Sequence, residues 1–412
     1  MLKKLICVFL AALLLTTCVL ASDDGITHRY ATEYLSDDLF DPLPDYDETS
    51  IPTAGEPAGA LEVKARSAIL MDVYTGKILY ENNSHETLPP ASITKIMTLL
   101  LVMEAVESGK IGLNDMVQVS SHAASMGGSQ IWLEPGEQMS VNDLLKAATV
   151  ASANDAATAL AEYVAGSEES FVGMMNARAA ELGMNDTTFL NCTGLDAAGH
   201  LTSANDIAVM SRILIQHDLI REYSKIWMDT LRGGKTELVN TNKLVRFYKG
   251  TTGLKTGTTS GAGSCLSATA ERDGVHLVAV VMGCETSDDR FNSARKLLDY
   301  GFANWSMYTP QVDPTQFPEV PVKKGTEKQV PLEMEQPSSI LIAKGKEGEI
   351  TQEITMEPEV QAPVARGDEV GRVTLSAGGE VLAEYKIVSA VDIPELTLWK
   401  ALQYILWNFV KM

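Results

Sequence analysis

The sequence predicts an α/β protein of the layered α+β kind: an antiparallel sheet covered by helices, followed by a small all-β sandwich domain and a C-terminal amphipathic helix. Three observations predict it. Strand-like runs, from about residue 65 and again beyond 253, flank a helical block over about 92–223; prolines and short alternating strands follow Trp305; and Leu398, Leu402, Ile405, Phe409 and Met412 recur at three- and four-residue steps. Strands at both ends with helices between them suit one sheet layered with helices.

The chain opens with Met1, Leu2, Lys3 and Lys4, then an apolar run over 5–15 and the small-residue close Val19, Leu20, Ala21. Charged, apolar, small is the order of a signal peptide over 1–21, cut after Ala21. The rival reading, a permanent membrane span, needs about 20 apolar residues. Cys18 behind Leu15-Thr16-Thr17 is a poor fit to a lipoprotein box because Thr stands directly before it. Residues 22–60 carry Asp37, Asp38, Asp41, Asp45 and Asp47 among few large apolar residues, and predict a disordered, solvated leader.

The main domain is expected over 61–308. Ser67-Ala68-Ile69-Leu70-Met71, a turn at Tyr74-Thr75-Gly76, and Lys77-Ile78-Leu79-Tyr80 read as a strand hairpin. Helical periodicity follows over 141–150, 155–164, 170–182 and 204–215. Strands over 264–270 and 275–282 flank the turn pair Asp273-Gly274, and 291–302 reads as a closing helix. Pro310, Pro314, Pro318 and Pro321 introduce a β domain over 309–393, with strands at 340–343, 349–356 and 371–376. The last segment, 394–412, is too short and too charged to span a bilayer. Trp399, Tyr404 and Trp407 suit a headgroup boundary, which makes it a membrane-surface anchor; the other reading is a helix packed on the β domain.

A net charge of −21 repels a phosphate backbone, so nucleic acid is excluded as a partner. Removing 1–21 leaves Cys192, Cys265 and Cys284, an odd number that cannot all pair with one another. No HExxH or CxxC spacing occurs, and neither a metal nor a cofactor is expected.

Three short motifs carry candidate chemistry. Pro89-Pro90-Ala91-Ser92-Ile93-Thr94-Lys95 runs straight into an apolar stretch, which places Ser92 near the start of a buried helix. Residues three apart share a helix face, so the Lys95 amine lies beside the Ser92 hydroxyl. A hydroxyl is a weak nucleophile until a base takes its proton, and lysine is that base only when burial or a neighbouring cation lowers its pKa. Alone, SxxK is expected about once by chance in such a chain and ordinarily means a capped helix. Ser152-Ala153-Asn154, ahead of an Ala-rich run, taken singly is a helix cap. Lys255-Thr256-Gly257, taken singly, is an edge-strand lysine beside a turn.

Together, SxxK, SxN and KTG in that order resemble the penicillin-binding protein and serine β-lactamase superfamily, and more closely the low-molecular-weight D-alanyl-D-alanine carboxypeptidases, peptidase family S11. The resemblance runs from about residue 65 to 412, through Leu88-Pro89-Pro90-Ala91-Ser92, Gly128-Ser129, Leu182-Gly183-Met184, Gly194-Leu195-Asp196 and Gly253-Leu254-Lys255-Thr256-Gly257. It implies a β-lactamase/transpeptidase-like catalytic domain acting on peptidoglycan stem peptides that end in D-Ala-D-Ala, with β-lactams as covalent inhibitors. It also implies an enzyme attached to the outer face of the cytoplasmic membrane. Ser92 would be the nucleophile, Lys95 its base, and Ser152 the relay to the leaving amine. Asn154 would hold the substrate amide, Lys255 would supply positive charge and help keep Lys95 neutral, and Thr256 would bond the carboxylate side. Backbone N–H groups of Ser92 and Thr258 would form the oxyanion hole. Two departures stand out. Thr258 occupies a place where some members have histidine, and Thr241 in Asn240-Thr241-Asn242 a place where some have arginine. Arg290 is a candidate second cation, or else a solvated arginine at a helix start.

Three rival functions remain in view. A β-lactamase needs a glutamate-positioned water, usually in an ExxLN segment, and none lies between SxN and KTG. An endopeptidase cutting cross-links would use the same residues, and an inactive wall-binding protein would keep the fold without the chemistry.

Overall fold

The computed structural model describes residues 29–30, 37–46, 50–53, 61–399 and 402. The expected signal peptide lies outside the described residues, as do residues 400–401 and 403–412 of the expected terminal helix. Two compact units divide the described chain: one of residues up to 51 with 61–271 and 276–299, the other of 52–53, 272–275 and the residues from 300 on.

The first unit is built on a five-stranded antiparallel sheet. Its strands are β1 (Ser67–Asp72), β2 (Ile78–Asn82), β3 (Thr251–Thr259), β4 (Gly263–Arg272) and β5 (Val275–Cys284). They lie in the order β2-β1-β5-β4-β3, so β3 is an edge strand. The β1–β2 turn closes because the Asp72 carboxylate accepts from the Thr75 N–H at 2.7 Å and from its hydroxyl at 2.6 Å. Asp273 and Gly274, both at positive φ, close β4 on β5, as the turn pair predicts.

Helix α1 (Lys95–Glu107) is buried from Lys95 to Met103 without a polar face, as a central helix must be. Around it pack α2 (Val141–Val150), α3 (Asn154–Ala165), α4 (Glu168–Glu181) and α5 (Ala204–Leu214). Ser140, Ser167 and Ser203 cap α2, α4 and α5 by accepting from the N–H three residues on. One short strand pair, Met116–Gln118 with Gln138–Ser140, interrupts the expected helical block, and another, Met228–Leu231 with Thr236–Val239, follows it. At three or four residues each, they are too short for alternation to mark them.

The described residues of the leader, 29–30, 37–46 and 50–53, differ from the expectation. Leu39, Leu43 and Ile51 are buried, and Arg29–Tyr30 pairs in parallel with Thr236–Glu237. Composition misjudged it because its few apolar residues find a ready-made surface and need no core of their own.

Between Trp305 and Ser389 the second unit is all-β apart from single 3-10 turns. Four strands, Leu332–Met334, Glu380–Ser389, Glu369–Ala377 and Thr351–Met356, form its main sheet in that order. Two pairs accompany them, Trp305–Tyr308 with Ile340–Ala343 and Val322–Lys323 with Val360–Gln361. Val320, Val373, Leu375, Ile387 and Ile393 lie in its core. Among the described residues no helix is long and apolar enough to cross a membrane.

Candidate active site

Pro90 leads into a single 3-10 turn, Ala91–Thr94, that feeds α1. Ala91 sits at φ +49°, a conformation unfavourable to any residue with a Cβ, and the turn holds Ser92 at the mouth of the helix. Lys95, one turn on, places its Nζ 3.0 Å from Ser92 Oγ and 2.8 Å from the Thr193 carbonyl. The amine is fully buried, and that burial lowers its pKa to about 7, against the opposing pull of Cys192 and Asp155.

Edge strand β3 forms the opposite wall. Gly257 packs so close to the Ser92 turn that an added Cβ would stand 2.9 Å from Ser92 N. Lys255 is buried and donates to the Thr256 carbonyl at 3.1 Å. Its pKa is lowered by burial and then by repulsion from Lys95 and Arg290. The expectation that Lys255 keeps Lys95 neutral is thus redistributed: burial dominates at Lys95, and the repulsion is felt at Lys255.

Ser152 does not cap α3. The helix begins at Asn154 with no side-chain cap, and Ser152 stands at φ +61° with its Oγ buried and unbonded among the described residues. A polar atom buried in this way and strained into position is characteristic of a reactive site. Asn154 donates its Nδ2 to the Gly127 carbonyl at 2.7 Å and leaves a buried Oδ1 without a partner. Asp155, fully buried, accepts from the N–H groups of Ile131 at 3.0 Å and Leu133 at 3.0 Å, which pins the loop carrying Gly128 and Ser129 beside Asn154.

Asn240 and Asn242 are structural. Asn240 Nδ2 donates to the Ile226 carbonyl at 2.8 Å, and Asn242 Nδ2 to the Gly253 carbonyl at 3.0 Å. They hold Thr241 between them, where its hydroxyl meets Thr256 Oγ1 at 2.6 Å. Arg290, near the start of α6 (Ser287–Asn304), reaches Thr258 Oγ1 at 2.8 Å and lines the cleft, so it is not merely a solvated helix-start arginine.

These groups converge on one cleft of about 680 Å³ whose walls include Ser92, Ser152, Asn154, Thr256, Thr258 and Arg290. Lys95 and Lys255 lie beneath it, each within reach of a wall residue. Every residue expected at the site from sequence is therefore brought together. Sequence reading missed the Thr193 carbonyl, Asp155 and Leu39, another wall residue of the cleft. Asp155 follows directly on SxN and was open to notice; a backbone carbonyl leaves no mark in side-chain patterns.

Comparison with known proteins is consistent with this geometry. The family described as D-alanyl-D-alanine carboxypeptidase matches residues 52–286, and that described as the penicillin-binding protein 5 C-terminal domain matches 305–395. D-alanyl-D-alanine carboxypeptidase DacF of Bacillus subtilis is 44% identical over 343 residues, which span 82% of this chain and 88% of that protein. Penicillin binding protein 5 of Haemophilus influenzae superposes with a TM-score of 0.70 at 32% identity, over 81% of this chain and 98% of that one. Penicillin-binding protein D2 of Listeria monocytogenes, solved in an ampicillin-bound form, is 34% identical with a TM-score of 0.52, over 59% of this chain and 99% of that one.

Proposed function

Because the chain belongs to the D-alanyl-D-alanine carboxypeptidase family, we propose that its cleft removes the terminal D-alanine of a peptidoglycan stem peptide by the following route. The protein is a serine D-Ala-D-Ala carboxypeptidase and a penicillin-binding protein; the assignment of steps to residues rests on the geometry above.

The neutral Lys95 amine takes the proton of Ser92 Oγ as that oxygen attacks the carbonyl carbon of the penultimate D-alanine. Negative charge builds on the carbonyl oxygen, opposite the backbone N–H groups of Ser92 and Thr258. The C–N bond then breaks, the proton passes from Lys95 through Ser152 Oγ to the leaving amine, and an ester on Ser92 remains for water to cleave. Asn154 Oδ1, buried and unsatisfied, is free to accept from the substrate amide. Thr256, Thr241 and Arg290 face the substrate carboxylate. Arrival of that carboxylate favours the charged form of Lys255, and a charged Lys255 in turn favours a neutral Lys95. A β-lactam carries the same carboxylate beside a strained amide and acylates Ser92 in the same way.

The observation that carries this reading is the 3.0 Å contact between a fully buried lysine and Ser92. A fluorescent penicillin should label the protein once per chain, and the Ser92→Ala variant should stay dark. Because Lys95 acts in its neutral form, the labelling rate should rise through pH about 7 and level off above it. A rate that falls over that range would contradict the assignment of the base.

We further propose that the enzyme works outside the cytoplasmic membrane, held to its surface by the last residues. The charged, apolar, small order of 1–21 and the three- and four-residue apolar spacing after Leu398 support this. Leu398, Trp399 and Leu402 are exposed. Truncation before 394 should move the enzyme from the membrane fraction to the soluble one while penicillin labelling persists; a truncated form still sedimenting with membranes would refute the anchor.

A further inference from the structure

Leu39 lines the cleft, yet it comes from the leader, ahead of the stretch matched to the family at residue 52. The leader is tied down on both sides of one end of the cleft. On one side Arg29–Tyr30 pairs with Thr236–Glu237, in the strand that runs on into Asn240-Thr241-Asn242. Phe40 stacks edge-on against Trp227 at 6.2 Å, and the Trp227 carbonyl accepts from the Asn240 N–H at 2.8 Å. On the other side the leader meets α6, the helix that carries Arg290. Arg295 donates to the Pro44 carbonyl and stacks over Tyr46 at 4.5 Å, while the Tyr46 hydroxyl donates to the Asp299 carboxylate. Between these ties Leu43 is buried, and Leu39 is 7% exposed.

Thr241, Thr256 and Arg290 mark the end of the cleft that receives the substrate carboxylate in the reading above, on which this inference rests. A leader running from the Thr241 segment to the Arg290 helix therefore crosses that end. The residue that bears the carboxylate is the one that leaves.

We propose that Leu39 is a specificity-determining residue: it walls the space around the side chain of the leaving amino acid and fits it to a methyl group. A leaving residue with a longer side chain, including one that continues into a cross-bridge, meets the Leu39 side chain and the leader behind it. The wall thus selects the removal of a single terminal D-alanine over the cutting of a cross-link. The apolar, nearly closed character of Leu39 suits a methyl group and gives no partner to a charged or amide-bearing side chain.

The test compares kcat/KM of the full chain for two synthetic substrates, an acyl-D-Ala-D-Ala and the matching acyl-D-Ala-D-Leu. In the wild type the ratio should favour D-alanine. In Leu39→Gly it should fall at least about tenfold, the scale on which a hydrophobic pocket discriminates by a methylene or more. Phe40→Ala, which loosens the leader without changing the wall itself, should lower the ratio in the same direction. A ratio within about twofold of wild type in both variants would overturn the proposal, since that is far below one methylene of discrimination. A wild type that releases no D-alanine and takes no penicillin label would overturn the underlying reading as well, and the two failures are told apart by that label.

Discussion

Lys95→Ala should cut acylation of Ser92 by a fluorescent penicillin about 10⁴-fold, the range expected when a nucleophile loses its general base. The amine is 3.0 Å from Ser92 Oγ, is fully buried, and has a pKa lowered to about 7, so a substantial fraction is neutral at physiological pH. Holding a lysine so far below its ordinary value has a thermodynamic cost in the folded state. The unfolded chain keeps its proton up to about pH 10.4, so the unfolded state binds more protons between pH 7 and that value and stability rises with pH across the interval. At pH 7 the penalty is about 4 kcal/mol, offset in part by the hydrogen bonds to Ser92 and the Thr193 carbonyl. Lys95→Met, which fills the same volume without the amine, should therefore be as inactive as the alanine variant and melt no lower than the wild type. Acylation within tenfold of wild type in either variant would remove Lys95 from the mechanism. A collapse of stability in the methionine variant would mean that the charge supports the fold instead of straining it.

Gly194→Ala should be nearly as damaging by another route. Gly194 lies at φ +87°, and a Cβ there would stand 1.8 Å from the Ala91 carbonyl oxygen and 2.9 Å from Ser92 N. Both neighbours are backbone, in the strained turn that presents the nucleophile, so nothing flexible is available to move. Relief requires displacing either that turn or the segment holding the Thr193 carbonyl, and each displacement pulls Ser92 and Lys95 out of register. A loss of about 3 kcal/mol or more is expected, a melting-temperature fall of roughly 6 to 12 °C for a domain of this size. Penicillin acylation should drop about 100-fold in the protein that still folds. Gly199→Ala serves as the comparison: φ is +91° but the nearest side-chain atom is 3.8 Å away, so only the left-handed backbone penalty of about 1 to 2 kcal/mol applies. If the two variants behave alike, the close approach of residue 194 to the Ser92 turn has no mechanical role.

Much of this site is legible in the sequence. The spacing of Ser92 and Lys95 on a run too apolar for the surface fixes both their contact and the burial that lowers the amine pKa. The helix over 141–150 is legible to the residue from its regular apolar face, and the structure adds Ser140 as its cap. Ser152 was misleading taken alone, since a serine two residues before an Ala-rich helix looks like a cap; its left-handed backbone, which turns the hydroxyl away from the helix, comes from tertiary packing and has no local signature. The roles of Asn240 and Asn242 follow from distant carbonyls at Ile226 and Gly253, which spacing along the chain does not encode. Leu39 has no signal in the sequence, because an isolated leucine among aspartates says nothing about a surface built by residues far along the chain.

The strand carrying Lys255, Thr256 and Gly257 is the outermost member of its sheet. Such a border exposes main-chain donors and acceptors at regular intervals, a template on which an extended peptide can lie as one more strand. Recognition through amides common to all peptides tolerates exchange of the side chains between them. An enzyme reading its ligand this way would be blinded by methylating a single amide nitrogen of that ligand.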